Sequence, residues 1–105
     1  MSEVAVSMEA LENEIAFCKD VMKQWQSKLD KLKDDETQTV MRLDVLNLVS
    51  ERLPMGISKD ANQATIDLVR NELIEIRVGI SNENSKINQY NKILEVLLSL
   101  KEENN

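Results

Sequence analysis

The chain has 105 residues, with two glycines, one proline, no histidine and a net charge of −6. So few turn-forming residues exclude an all-β or α/β chain, which must reverse direction often, and leave a single domain built from a few long helices. The acidity excludes nucleic acid and an anionic membrane surface as partners, because phosphate binding needs a basic face.

The first predicted element is a helix over about 7–53. From Met8 the apolar residues recur at alternating spacings of three and four: Met8, Leu11, Ile15, Cys18, Met22, Trp25, Leu29, Leu32. This is a heptad seam, and its phase continues through Glu36 and Thr39 to Leu43, Leu46, Ser50 and Leu53. Ser7 is the expected N-cap, with Val6 and Leu11 as a hydrophobic staple across it. Away from the seam, Met41, Val45 and Leu48 form a second apolar stripe on the same helix. A helix that is apolar on two sides is buried on two sides, so this stripe predicts a further helix, most simply from a second copy.

Pro54 ends the helix, since its ring and missing N–H do not fit a helix interior. A turn over 54–61 follows, with Gly56 for the reversal and Asp60 and Gln63 as a capping box. Met55 and Ile57 are expected to fold over the end of the seam.

The second helix is expected over about 62–102. Its seam reads Ile66, Val69, Leu73, Ile76, Ile80, Glu83, Ile87, Tyr90, Leu94, Leu97, with Lys101 near the C-terminus. The fold class is therefore all-α, a long antiparallel two-helix hairpin of coiled-coil type. Setting Leu53 against Ile66 pairs Leu46 with Leu73, Leu32 with Ile87 and Trp25 with Leu94, and puts Glu36 opposite Glu83, where facing carboxylates repel and lose hydration. The flanking stretches 34–38 and 79–85 are weak helix formers, and Gly79 costs about 1 kcal/mol against alanine in a helix interior. Either the helices run through this level, or both break there into a four-helix arrangement. The same pairing places Cys18 beside Lys101, so Met8, Leu11 and Ile15 project past the second helix as an unfaced apolar overhang.

Chemistry-bearing residues are few. Without imidazole there is no Ser–His or Cys–His pair and no histidine-bearing metal site. Cys18 stands on the seam, where a thiol is an inert core residue. Trp25 and Tyr90 also stand on seams, as core packing residues. Neither an enzyme nor a cofactor is expected. The function these patterns imply is a protein–protein interaction module, acting by helix packing and associating with itself as a homodimer or with another helical protein. Its expected contact residues are Met8, Leu11, Ile15, Met41, Val45 and Leu48. The alternative is a small acidic inhibitor that occupies a basic site on an enzyme or nucleic-acid-binding protein. The opening residues lack a signal peptide's basic start and apolar run, and no apolar stretch reaches the ~18 residues of a membrane span. The expected location is the cytoplasm.

Overall fold

A computed structural model describes residues 6–104 of the chain. Two helices make up the architecture: α1, Met8–Arg52, and α2, Ile57–Glu103, joined by a tight turn into a helical hairpin. Both run unbroken through 34–38 and 79–85, so the break into four helices does not occur. In the first of these stretches the hydroxyl of Thr37 donates to the Lys33 carbonyl at 3.1 Å, an internal bond made without opening the helix.

The ends follow from local chemistry. Ser7 caps α1, its Oγ accepting the Ala10 N–H at 3.2 Å while its carbonyl accepts from Leu11 at 2.9 Å. Leu53 makes a last bond to the Val49 carbonyl, and Pro54 stops the helix. At the other terminus, the Asn104 side-chain amide donates to the Leu100 carbonyl at 2.7 Å, satisfying one of the orphan acceptors of α2.

The turn differs from the expected one. Helix α2 begins at Ile57, five residues before the sequence-based boundary, and the reversal is made at Gly56 with φ of +144°. Only glycine adopts that backbone region without strain. Asp60 is therefore no N-cap. It sits in the first turn, its N–H bonded to the Gly56 carbonyl at 3.0 Å, where a carboxylate favours the helix dipole. The capping box does not form: the Gln63 amide donates to Asp67 instead. Met55 and Ile57 do not fold over the seam; they are 91% and 89% exposed.

This shorter turn slips the pairing of the helices by one heptad. The chain divides into two compact units, one built from Leu29–Asn82 and one from the segments up to Lys28 and from Glu83 on. In the first unit, Leu32 was expected level with Ile87; instead Gly79 lies against it, close enough that a Cβ there would sit 3.3 Å from Leu32 Cδ1. Leu46 was expected to face Leu73, yet its carbonyl accepts from the Asn62 side chain at 2.9 Å. Ile66, Val69 and Leu73 are the buried core of α2 here. In the second unit, Trp25 meets Tyr90 edge to face, with ring centroids 4.7 Å apart, rather than Leu94. Cys18 donates to the Tyr90 carbonyl, and Glu12 rather than Cys18 reaches Lys101, at 3.7 Å.

Two further expectations fall with the register. Leu11 and Ile15 form no overhang: they are buried, at 5% and 7% exposure, and Met8 is half-buried. The facing carboxylates also disappear. Glu36 accepts from Arg77 Nε at 3.0 Å, while Glu83 pairs with Lys86 on its own helix at 3.4 Å. Glu83 is nonetheless buried on the seam, and its Oε2 has no hydrogen-bond partner.

Two predictions follow from this geometry. An unpartnered buried carboxylate oxygen costs about 1–3 kcal/mol, so Glu83→Leu should raise the thermal midpoint by at least ~4 °C, read by circular dichroism. The two glycines should respond with opposite signs. Gly56→Ala has open space around it but strained φ, and should lose about 1–2 kcal/mol. Gly79→Ala gains helix propensity and displaces only the flexible end of Leu32, for a net gain below ~1 kcal/mol in denaturant titration.

Candidate partner-binding surface

Of the six expected contact residues, the structure leaves three available. Met41, Val45 and Leu48 stand on consecutive turns of α1 at 56%, 60% and 55% exposure. They share one face because spacings of four and three return the side chain to the same side of a helix. That face is opposite the seam, whose residues Leu43 and Leu46 are turned inward and half-buried. Val49 continues the stripe toward the turn. On α2 in the same unit, Leu68, Ile74 and Val78 are also largely exposed. Leu11 and Ile15, by contrast, belong to the core and are no contact surface.

In the unit built from the segments up to Lys28 and from Glu83 on, the exposed large apolar residues described are Val6 ahead of α1, Phe17 on α1 and Ile93, Val96 and Leu98 on α2. Val96 and Leu98 fall outside the seam, although Val96 stands three residues after Ile93 and Leu98 four after Leu94, a spacing that could have marked them in the sequence. Two shallow grooves of about 320 and 310 Å³ lie here. One is lined by Lys92, Ile93, Val96 and Leu97; the other runs between the helices beside Met22, Ile87 and Leu94. Neither holds a pair of carboxylates or a nucleophile with a base. Among the described residues no three metal-ligating side chains converge, and no helix is long and apolar enough to cross a membrane.

The charges around these surfaces are arranged as a solvated polar rim. Arg42 lies 3.9 Å from Glu72 and Arg70 4.0 Å from Asp67, each pair more than half exposed. Such pairs contribute roughly 0–1 kcal/mol apiece and orient side chains more than they stabilise the fold. Lys86 differs: its ammonium sits 5.6 Å from the Trp25 ring centroid while it pairs with Glu83, so one cation serves both a ring face and a buried carboxylate.

The buried state of Cys18, whose thiol donates to the Tyr90 carbonyl, gives a direct check on the packing of the seam at this level. At 2% exposure its thiol should react with a disulfide reagent at least about 100-fold more slowly in buffer than in denaturant. Comparable rates in the two conditions would mean that the seam is open at the level of Cys18. No protein-family model matches the chain, and no curated protein or solved structure is significantly similar to it.

Proposed function

We propose that the chain is a protein–protein interaction module that works by packing the outer stripe of α1 against another helix, and that it self-associates. The observation that carries this reading is the exposure of Met41, Val45 and Leu48 on successive turns, opposite a seam that already holds α2. Contiguous apolar side chains of this kind are sites of association in soluble proteins. Two hairpins brought together supply four helices, and the role is that of a subunit, an adaptor or a holder of amphipathic helices in the cytoplasm.

The acidic-inhibitor reading rests on the net charge of −6 and the small size of the chain. The acids are interleaved with lysines and arginines, and Glu36, Asp67 and Glu72 each have an arginine within 4.0 Å. Apolar helix packing accounts for more of the surface than a charged decoy does.

Light scattering across a dilution series tests the proposal, with helicity recorded in parallel. The wild type should have twice its formula mass at micromolar concentration. Val45→Glu with Leu48→Glu removes two apolar side chains per copy, each worth about 1.5–3 kcal/mol when buried, so dissociation should strengthen by at least ~100-fold with little loss of helix. An unchanged mass would rule out this stripe as the interface. Raising the salt concentration separates the readings: a dimer held mainly by apolar packing weakens by no more than about tenfold, whereas a complex held by the acidic face on a basic partner weakens far more.

A further inference from the structure

The outer stripe continues beyond its apolar centre with the same four–three rhythm. Read in full it is Asp34, Gln38, Met41, Val45, Leu48 and Arg52, all exposed and all within the unit Leu29–Asn82. It is a second heptad seam with an acid at one end and a base at the other. Among the described residues neither Asp34 nor Arg52 makes an ion pair within the chain, although five other pairs form.

We propose that a second copy of the chain occupies this seam, docked antiparallel along α1 about a two-fold axis at the height of Leu43. The inference rests on the self-association reading above and specifies its geometry. An antiparallel seam pairs alternate positions of the two helices. Met41 then packs against the partner's Val45, Gln38 covers the partner's Leu48, and Asp34 meets the partner's Arg52. The two-fold axis repeats every contact, so one charged pair closes each end of the apolar stretch.

The charges discriminate among arrangements. A parallel pair in register sets Asp34 against the partner's Asp34 and Arg52 against the partner's Arg52, and both contacts repel. Antiparallel docking converts both into attraction. Near the axis, Arg42 and Asp44 each approach their own copy. Glu72, 3.9 Å from Arg42, neutralises the first of these contacts. Asp44 has no such partner and is the one unfavourable contact in the arrangement. Over this unit α1 would lie between α2 and the partner's α1, so that the helices form a layer rather than a square bundle.

Directed disulfides test the geometry. In a Cys18→Ala background, tagged Met41→Cys chains are mixed with untagged Val45→Cys chains and oxidised in a glutathione buffer. The mixed disulfide should exceed either homodisulfide by about fivefold, whereas predominance of the homodisulfides would overturn antiparallel docking. Sedimentation equilibrium at low salt gives the second readout. Arg52→Glu or Asp34→Lys alone should weaken the dimer about tenfold, and the two combined should restore it to within about threefold of wild type. Asp44→Asn should tighten it about twofold. A wild-type dimer lacking the mixed disulfide and the charge rescue would overturn this geometry and leave self-association standing; a wild-type monomer at all concentrations would overturn both.

Discussion

Gly56, with φ of +144°, sets the register of everything that follows it. Because the chain reverses there rather than near Asp60, α2 starts at Ile57 and meets α1 one heptad away from the pairing that its apolar residues would equally allow. Asn62 reinforces the choice from inside the seam. Its amide reaches the Leu46 carbonyl at 2.9 Å, a bond available in this register and lost in a slipped one. A polar side chain at a seam position is a known means of selecting one alignment among several with the same apolar rhythm.

The register in turn decides which carboxylates are tolerable. Glu36 is satisfied from across the hairpin by Arg77, so its place in the seam costs little. Glu83 is met only by Lys86, at the long distance of 3.4 Å, and keeps one oxygen buried and unpartnered. Facing one another, the two would have been a repulsive pair. The acids therefore disfavour the slipped hairpin as Asn62 favours the observed one, and the unpartnered oxygen of Glu83 is a local cost of that selection.

The same alignment shapes what the molecule can offer to others. By drawing Leu11 and Ile15 into the core, it removes the most obvious sticky end from the surface. The apolar side chains that stay exposed are ones the seam never uses, among them Met41, Val45 and Leu48. A helix that presents one stripe inward and a second outward can join a larger assembly without changing its own fold.

Helix content, the Ser7 cap, the stop at Pro54, the inward seams and the outer stripe of α1 were all legible in the sequence, because each depends on residues within about two turns of one another. Continuity through 34–38 and 79–85 stayed open in the sequence, because the unbroken heptad phase and the weak helix formers at that level point in opposite directions. The register was not legible. A heptad repeat looks the same after a shift of seven residues, so periodicity alone assigns equal merit to both pairings. What separated them was nonlocal or fine-grained: a positive φ at Gly56, the reach of Asn62 to a carbonyl on the other helix, and Arg77 finding Glu36. The sequence by itself determined which faces are apolar, and only the tertiary structure decided which of them are covered, since coverage depends on the alignment of two helices and not on the pattern of either.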